Sequence, residues 1–230
     1  MTDTYSHTRG RLEEYFDRTA AETWERLTSD APVSKIRQTV RAGRDRMRAA
    51  LLYRLPKSLY GCRVLDAGCG AGQMSIELAK RGAEVVAVDI SSSLLDVAAE
   101  RTPDELTSRI EYRVGDMLDD ALGHFDHVVA MDSLIHYAPD DVVTALARLA
   151  HRSRHSINFT LAPSTPLLNV MHMTGKLFPR SDRSPAIHPV AERKLRRLCV
   201  SEPAFARWRM PASERIKSGF YISQAMRLVR

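Results

Sequence analysis

The segment from Val64 to Gly72 constrains the fold of this chain more than any other, because a glycine-rich turn directly follows an apolar run. Its letters are VLDAGCGAG, and a helical pattern begins at once after it. Glycine adopts positive φ and lets the backbone approach a ligand, which residues with side chains do only at a cost of about 1 kcal/mol or more. The segment therefore predicts a strand, a tight turn against a ligand and the start of a helix.

From Cys62 onward, short apolar runs alternate with helical segments. The order is CRVLDAG, GQMSIELAKRG, AEVVAVD, SSSLLDVAAER, IEYRVGD, HFDHVVAMD, DVVTALARLAHR and HSINFTLAP. A further helix, AERKLRRLCVS, precedes two apparent strands near Phe205 to Met210 and Gly219 to Arg227. Parallel strands joined by right-handed helical crossovers produce such alternation. We predict an α/β fold with a mostly parallel, seven-stranded, Rossmann-like sheet and helices on both faces.

The chain also extends this domain in two places. Residues 11 to 30 have the pattern of an amphipathic helix or helix-loop-helix, and Val33 to Leu55 form a second helical stretch that stops before Pro56. We therefore predict a helical, lid-like, substrate-binding extension over residues 1–57 and a cofactor-binding domain over residues 58–230. The alternation breaks after Pro163, which predicts an insertion at about residues 164–190, after the fifth strand and over the substrate side.

Composition narrows the class of protein without choosing a function. The chain has 230 residues, 44% of them hydrophobic and 27% charged, which is typical of a globular protein with one core. It shows neither a long apolar run nor a secretory leader pattern, so we expect a cytoplasmic protein. A net charge of +6 favours anionic partners, although the denser basic group from Arg41 to Arg48 is most simply read as a solvated helix face.

The three cysteines, Cys62, Cys69 and Cys199, show no CxxC spacing. They predict neither a disulfide framework nor a zinc site, and we interpret them as thiols in or beside strands.

The glycine turn points to a nucleoside cofactor, and its spacing discriminates between two kinds. The glycines run GxGxG behind Asp66, whereas dinucleotide-binding turns have the spacing GxGxxG. Asp89, at the end of the next predicted strand, is placed to accept both ribose hydroxyls, which fits NAD equally well. Asp116, at the end of the third strand, could cap a helix; its position also resembles one in class I S-adenosylmethionine methyltransferases where an acid accepts a hydrogen bond from the adenine amino group and the next apolar residue packs on the ring.

These positions together resemble the class I S-adenosylmethionine methyltransferases. In that superfamily the acidic residue and the glycine loop hold the methionine part of the cofactor. The resemblance implies S-adenosylmethionine as cofactor, S-adenosylhomocysteine as product and cofactor contacts at eleven positions. These are Asp66, Gly68, Cys69, Gly70, Gly72, Asp89, Ile90, Asp116, Met117, Met131 and Asp132.

Four longer strings are more specific than the glycine turn. They are YFDRTAAETWERL near the start, MDSLIHY after the fourth strand, KLFPRSDRSPAIHP after Pro163 and RIKSGFY near Tyr221. Together they resemble the magnesium-protoporphyrin IX methyltransferases of bacteriochlorophyll synthesis, over almost the whole chain. That family transfers a methyl group to one propionate of a magnesium porphyrin and forms the monomethyl ester. Family members commonly carry Tyr-Gly-Asp after the N-terminal tryptophan, but this chain has Leu27-Thr28-Ser29-Asp30, so the tyrosine's role cannot be carried over to Thr28.

The resemblance also implies roles on the substrate side. We expect His136 to donate a hydrogen bond to one carboxylate oxygen while the other attacks, although a histidine before an aromatic residue is often structural. Predicted substrate contacts are Tyr15, Phe16, Trp24, Tyr137, Lys176, Phe178, Arg180 and Arg183, with Met171 and Leu177 as further walls. We predict no metal site in the protein, so that magnesium enters only with the substrate. His172, His188 and Tyr137 are weaker candidates for its axial ligand.

Partners follow from the same resemblance. Besides the magnesium porphyrin, it implies the large subunit of magnesium chelatase and peripheral contact with photosynthetic membranes, and we expect no nucleic acid. Three alternatives remain open at the level of sequence: a methyltransferase for a quinone or small acid, a basic binding module without enzymatic activity, and an NAD-linked dehydrogenase.

Overall fold

The computed structural model describes residues 3–17, 35–164 and 187–230. Its strands are β1 (Arg63–Ala67), β2 (Glu84–Asp89), β3 (Ile110–Val114), β4 (Phe125–Ala130), β5 (Ser153–Leu161), β6 (Glu214–Ser218) and β7 (Tyr221–Val229). Its helices are α1 (Asp3–Tyr15), α2 (Lys35–Tyr53), α3 (Gln73–Lys80), α4 (Ser92–Glu100), α5 (Pro139–Arg152) and α6 (Glu192–Val200). Short 3₁₀ turns lie at Asp104–Arg109, Asp120–Leu122, Leu134–His136 and Pro203–Phe205.

The seven strands form one sheet in the order β3-β2-β1-β4-β5-β7-β6. The first five strands run parallel, whereas β7 pairs antiparallel with both β5 and β6. Five residues of β2 are buried and only its first is exposed, as expected for a strand that is covered on both faces. The predicted mostly parallel, seven-stranded Rossmann-like sheet is confirmed.

Helices cover both faces because successive strand residues point in opposite directions. Val64 packs with Met47 and Leu51 of α2 on one face. Leu65 packs on the other face in the core that contains Leu146 of α5. Two apolar cores therefore sandwich the sheet and leave the carboxyl ends of its parallel strands to form the site.

The N-terminal helices differ from expectation in their limits. Helix α1 begins at Asp3 rather than near residue 11. Its start depends on contacts with distant parts of the chain, and the local pattern of apolar residues does not reveal these contacts. Among residues 4–15 of this helix, Tyr5 and Leu12 are buried, and Gly10 lies within it. Helix α2 runs from Lys35 to Tyr53, within the predicted stretch. Trp24 lies outside the described residues.

Two local predictions were wrong. Residues 205 to 210 do not form a strand: Pro203–Phe205 is a 3₁₀ turn, and Arg209 makes only an isolated bridge to Val229. The pairing edge of β7 is instead occupied by β6, at Glu214–Ser218. Cys199 lies in helix α6 rather than beside a strand, where its side chain fills part of the apolar core.

The predicted insertion falls mostly outside the described residues. At its two ends, Pro163 bridges Val190 and the backbone of Ser164 hydrogen-bonds to the Val190 carbonyl. Within the described parts of the chain, no helix combines the length and the apolar character needed to cross a bilayer.

Candidate active site

A cleft that is partly open to solvent, here called the cavity, lies at the carboxyl ends of the parallel strands. Open α/β sheets bind ligands at this edge. One part of its lining, here called the loop side, consists of residues from the ends of β1, β2 and β3, including Asp66, Asp89 and Asp116. Another part, the β4 side, consists of Arg44, Asp132, Ser133 and His136.

The glycine turn after β1 forms the floor of the loop side. The backbone N–H groups of Gly68 and Cys69 both donate to the Val88 carbonyl, at 2.8 and 3.0 Å, so the turn is tied to β2. Gly68 has a φ of 77°, and a Cβ added there would overlap the Cβ of Ser133. A side chain at this position is excluded both by its backbone conformation and by the turn after β4.

Asp66 is the most buried carboxyl group of the cavity, with a relative exposure of 1%. The Ser75 hydroxyl donates to it at 2.6 Å. Burial, with a smaller contribution from the nearby Asp89 charge, raises the pKa of Asp66 to about 7. A ligand cation would favour its ionised form, so this group is suited to receive an ammonium.

Asp89 ends β2 as predicted, and its carboxylate also organises the loop. One oxygen accepts the Gly70 N–H at 2.8 Å and the other accepts the Ser91 N–H at 3.0 Å. Burial raises the pKa of Asp89, while these backbone donors oppose the rise. Each carboxylate oxygen accepts more than one hydrogen bond, so this geometry is compatible with ribose hydroxyls as further donors. Ile90 lines the cavity beside it.

Asp116 contacts helix α1, which the sequence did not predict. Its Oδ1 accepts the Tyr5 hydroxyl at 2.8 Å and the Leu118 N–H at 2.9 Å. Tyr5 also stacks on Tyr137, with ring centroids 4.7 Å apart and an interplanar angle of 16°. Asp116 therefore holds a local turn at Leu118, whereas the nearest short helix is capped by Asp119. Met117 lies beside it in the cavity wall.

His136 lines the cavity at the end of the 3₁₀ turn that follows β4. Phe16, another cavity residue, meets its ring edge to face at a centroid distance of 6.0 Å. Tyr15 packs on Phe16 at 5.4 Å but is not among the lining residues. Tyr137 is almost fully buried, stacks on Tyr5 and also lines the cavity.

Asp132 lines the cavity, and its carboxylate is engaged by protein groups. Arg44 donates to Oδ2 at 3.0 Å, and the Tyr221 hydroxyl lies 3.1 and 3.2 Å from the two oxygens. Thr160 donates to Oδ1 at 3.2 Å and accepts the backbone N–H of Asp132 at 2.7 Å. Asp132 has a positive φ of 58°, which is uncommon for a residue with a side chain.

The structure brings together most of the predicted cofactor residues that it describes. All except Gly72 line the cavity. A Cβ on Gly72 would lie 2.7 Å from the Tyr112 hydroxyl and 2.9 Å from the Ala98 Cβ, so this glycine permits α3 and α4 to pack closely. The sequence missed Tyr5, Leu12, Arg44, Arg48, Gln73, Met74 and Ser133, which also line the cavity. Among these, only Arg44 and Arg48 carry a signal that could have been used: their i, i+4 spacing places both side chains on one helix face.

Other predicted substrate residues are placed differently. Trp24, Met171, His172, Lys176, Leu177, Phe178, Arg180 and Arg183 lie outside the described residues. His188 does not line the cavity, although its backbone N–H donates to the Ile135 carbonyl at 2.8 Å. The described residues contain no group of three or more His, Cys, Asp or Glu side chains able to hold a metal ion.

The cavity has the donor and acceptor set that a nucleoside carrying an amino-acid part requires. Carboxylates stand at the ends of three neighbouring strands, and apolar side chains such as Met117 and Leu94 lie between them. Arg44 and Arg48 contribute positive charge to a lining that also contains four aspartates. The residues present therefore fit S-adenosylmethionine.

Comparison with known proteins gives a consistent result over the whole chain. Residues 130–230 match the family model for the magnesium-protoporphyrin IX methyltransferase C-terminus, and residues 64–155 match a general methyltransferase domain. The chain is 52% identical over 227 residues to magnesium-protoporphyrin O-methyltransferase of Rhodobacter capsulatus, with 98% of both chains covered. The fold is similar to the crystal structure of magnesium protoporphyrin IX methyltransferase from Synechocystis with bound S-adenosylhomocysteine, with a TM-score of 0.82. The two sequences are 25% identical, and the match covers 96% of this chain and 99% of that one.

Proposed function

The chain belongs to the magnesium-protoporphyrin O-methyltransferase family, and on this premise we propose that it methylates one propionate carboxylate of magnesium protoporphyrin IX. The methyl donor is S-adenosylmethionine, and the products are the monomethyl ester and S-adenosylhomocysteine. One observation carries the proposal: the likeness to the Rhodobacter capsulatus enzyme extends over 98% of both chains. It therefore includes the β4 side of the cavity as well as the loop side.

The reaction needs alignment more than acid–base chemistry. A propionic acid resembles the Glu side chain, whose pKa is about 4.3, so the acceptor is already ionised at neutral pH. Bound S-adenosylmethionine supplies a methyl group activated by its positively charged sulfur. The chain must hold the carboxylate oxygen in line with that methyl group and exclude water from the anion.

The loop side supplies the groups that hold the cofactor. Asp66 and the glycine turn would face the methionine part, where a buried carboxylate stabilises an ammonium. Asp89 would accept the ribose hydroxyls, and Asp116 with Met117 would contact the adenine. This assignment is supported by the cavity position of each residue.

His136 is the residue we assign to the reacting carboxylate. It stands on the turn after β4, next to Asp132 and Ser133, and its ring packs against Phe16. An imidazole N–H donating to one carboxylate oxygen would fix the orientation of the other toward the methyl group. His136 would thus orient the acceptor without removing a proton from it.

Within the N-terminal extension, residues 1–57, helix α1 would act as a lid over the site. Polar contacts fasten the start of helix α1 and the residues just after it: Thr4 donates to Asp141 at 3.0 Å, and Ser91 donates to Asp17 at 2.7 Å. Both hydrogen bonds are only part-buried, which suits a segment that opens for a wide, flat substrate. Limited proteolysis should cleave within this segment more slowly when S-adenosylhomocysteine is bound; equal rates would contradict a lid.

The insertion after β5 is the proposed source of further substrate contacts. Lys176, Arg180 and Arg183 would face the propionates, and Phe178 would contact the ring. The basic character of this stretch and its family-like sequence support the assignment. Replacing Arg180 or Arg183 by Gln should raise the KM for the porphyrin and leave S-adenosylhomocysteine affinity unchanged.

Two encounters outside the active site follow from the proposed reaction. The large subunit of magnesium chelatase would hand over the porphyrin, since chelatase makes it. The protein would also touch anionic membranes, for which its charge of +6 and the exposed Tyr53 and Tyr60 give support. Purified protein should sediment with anionic vesicles and with immobilised chelatase subunit, but not with phosphatidylcholine vesicles. Absence of binding in one of these assays would contradict the corresponding interaction.

The reaction itself is tested by incubation with methyl-labelled S-adenosylmethionine and magnesium protoporphyrin IX. We expect label in the pigment that mild base releases, as it does from a carboxyl methyl ester. Protein that binds S-adenosylhomocysteine but transfers no label to this porphyrin would contradict the proposed substrate.

A further inference from the structure

A second cleft, partly open to solvent, lies at the end of the sheet that carries β7 and β6. Ser164 and Val190, at the two ends of the insertion after β5, line one part of it. Arg193 at the start of α6 and Arg215 of β6 line another. None of these residues lines the cavity described above, so the second cleft is a separate feature of the molecule.

Strand register shows how far this cleft lies from the end of β4. Arg215 pairs with Gln224 of β7, and Gln224 pairs with Leu161 at the carboxyl end of β5. Arg215 is therefore level with the carboxyl end of β5, on the same edge of the sheet as the cavity. Three strand spacings, roughly 14 Å, separate its backbone from β4.

A short segment of backbone connects the second cleft to the turn that carries His136. The N–H of His188 donates to the Ile135 carbonyl at 2.8 Å. Val190 follows two residues later, a step of at most about 7 Å along the chain, and it lines the cleft. A wide, flat ligand that reaches His136 can therefore also reach this cleft.

Arg215 is oriented from below by a buried amide. Its Nε donates to Gln224 Oε1 at 2.9 Å. Gln224 is only 5% exposed, and its Nε2 donates to Ser213 at 2.6 Å and to Glu192 at 3.2 Å. Among the described residues, no hydrogen bond engages the two Nη groups of Arg215. These groups are therefore available to a ligand, while the Nε contact sets their direction.

The acidic side chain of the cleft is already neutralised by its neighbours. Glu192 accepts hydrogen bonds from Arg196 at 2.8 Å and from Ser213 at 2.7 Å. Burial acts to raise the pKa of Glu192, but these hydrogen bonds outweigh it, so the pKa lies below its usual value. Arg196 also donates to two backbone carbonyls. The charge that remains for a ligand comes from Arg193, which is exposed, and from Arg215.

Charge distinguishes the second cleft from the cavity. Residues 187–230 contain ten Lys or Arg and three Asp or Glu, a net charge of +7, so the rest of the chain carries −1. Four aspartates line the cavity. Arg44 and Arg48, expected on a solvated helix face, line the cavity instead, and each is paired with an aspartate, at 3.0 and 2.5 Å. An anion that takes no part in the reaction is therefore better stabilised in the second cleft.

We propose that Arg215, oriented by Gln224, binds the second, non-reacting propionate of the magnesium porphyrin in this cleft, and that Arg193 supplies a further positive charge. The inference deepens the proposed function and rests on it. The two propionates leave neighbouring pyrrole rings on one edge of the macrocycle, so their receptors must lie on one side of the site.

Two separate contacts would then determine which propionate reacts. His136 orients the reacting carboxylate, and the planar fork of Arg215 holds the other one through two parallel hydrogen bonds. These contacts add to those proposed for the insertion after β5. Gln224 is a positioning residue that acts through Arg215.

The experiment titrates the full chain with two pigments in the presence of S-adenosylhomocysteine and follows pigment fluorescence. One pigment is magnesium protoporphyrin IX, the diacid. The other is the monomethyl ester isomer that the enzyme does not form, in which the non-reacting propionate is esterified. The variants are Arg215→Gln and Arg193→Gln. Lys217→Gln on β6 and Arg197→Gln on α6 are the matched controls, because both side chains are exposed and lie outside the cleft lining.

We expect the wild type to bind the diacid about 5- to 20-fold more tightly than the ester isomer, because the ester lacks a charge-assisted contact at an exposed site. Arg215→Gln should weaken diacid binding by about the same factor. It should leave the affinity of the ester isomer unchanged, which also shows that the variant is folded. Arg193→Gln should have a smaller effect, about 2- to 5-fold, and the two controls less than about twofold.

The positioning residue and the identity of the product give further readouts. Gln224→Met removes the acceptor for Arg215 and should weaken only the diacid, by about 2- to 5-fold. A merely structural role of Gln224 would weaken both pigments equally. With labelled S-adenosylmethionine, Arg215→Gln should form some of the other monomethyl ester isomer, whereas Lys217→Gln should form a single isomer like the wild type.

The proposal is overturned if Arg215→Gln matches Lys217→Gln in diacid affinity, or if Arg215→Gln weakens both pigments equally. A wild type that binds the diacid and the ester isomer with equal affinity would contradict this subsite and leave the proposed substrate standing. A wild type that binds neither pigment would contradict the proposed substrate, and the subsite with it. The two failures are therefore distinguishable in the same titration.

Discussion

The loop side and the β4 side of the cavity are built in different ways. On the loop side, Asp66 and Gly70 lie within one short segment, and Asp89 contacts Gly70 from 19 positions away. On the β4 side, Arg44, Asp132 and Tyr221 meet although 88 and 89 positions separate them along the chain. The first construction is local and leaves a pattern in the sequence, whereas the second exists only after the whole sheet has formed.

The largest effect that separates the two sides is expected from Gly68→Ala. The new Cβ would overlap Ser133 and force a side chain into positive φ, so we expect a loss of about 2–5 kcal/mol, divided between unfolding free energy and cofactor affinity. Calorimetric titration with S-adenosylhomocysteine and thermal unfolding measure the two parts.

Gly61→Ala is the matched control for Gly68→Ala. Gly61 also has positive φ, at 74°, but no atom lies within 4 Å of an added Cβ. Gly61→Ala should therefore lower the free energy of unfolding only because alanine disfavours positive φ, by about 1 kcal/mol. Equal effects of the two substitutions would show that contact between the loop and the β4 turn is unimportant.

The next largest effect tests whether the β4 side acts on the acceptor alone. His136→Ala should lower kcat by about 10²-fold, because an orienting hydrogen bond is lost, while S-adenosylhomocysteine affinity stays within about threefold. Steady-state transfer assays and titrations give the two numbers. His124→Ala, on the exposed segment before β4, should change neither. A parallel loss of cofactor affinity in His136→Ala would assign this histidine to the loop side.

A smaller effect concerns pH and the loop side. Burial raises the pKa of Asp66 to about 7, and a bound ammonium would favour its ionised form. Cofactor binding should therefore release a proton below pH 7, and affinity should fall by about 20-fold between about pH 7.5 and about pH 5.5. Asp66→Asn should bind more weakly at neutral pH but lose this dependence. A wild-type affinity that is flat across this range would contradict an ammonium contact at Asp66.

The smallest effect lies in β4 itself and tests folding rather than binding. His127 is buried, and its Nδ1 lies 2.8 Å from the Ser156 hydroxyl. Burial, followed by the charge of His155, lowers the pKa of His127 to about 4.

The unfolded chain therefore binds a proton at His127 near pH 6.5 that the folded chain does not bind, so the contribution of His127 to stability should fall as the pH drops below that value. Asp66, whose pKa is raised to about 7, acts in the opposite direction, so the His127 contribution is measured as a difference between two proteins. We expect His127→Gln to be less stable than the wild type at neutral pH, and this difference in the free energy of unfolding should shrink by about 1 kcal/mol between about pH 7.5 and about pH 5.5, as measured by urea unfolding. A difference that stays constant over this range would contradict a role of His127.

These contrasts show what the sequence could predict and why. Asp66, Gly68, Asp89 and Asp116 were predicted because strand ends and a glycine turn are defined by neighbouring residues. The mostly parallel sheet with helices on both faces was predicted from the alternation of strands and helices, since crossover handedness restricts the possible sheets. The same local information placed His136 beside the cavity, because it directly follows β4.

The missed residues share one cause, which is dependence on distant parts of the chain. Tyr5 reaches Asp116 across 111 positions, and no local pattern marks a tyrosine in a mostly polar helix. Arg44 and Arg48 look like any basic helix face until the position of Asp132 is known. The expected strand at residues 205 to 210 failed for a related reason, because a different segment pairs with β7.

The position of β7 has a consequence for the order in which the protein acquires its functions during synthesis. Strands β1 to β5 leave the ribosome first and can already form the loop side of the cavity, whereas β7 follows every other strand and inserts between β5 and β6. Tyr221 stands at the start of that late strand. A nascent chain would therefore be able to hold a nucleoside before it can orient Arg44, and competence to react would come only with its last strand.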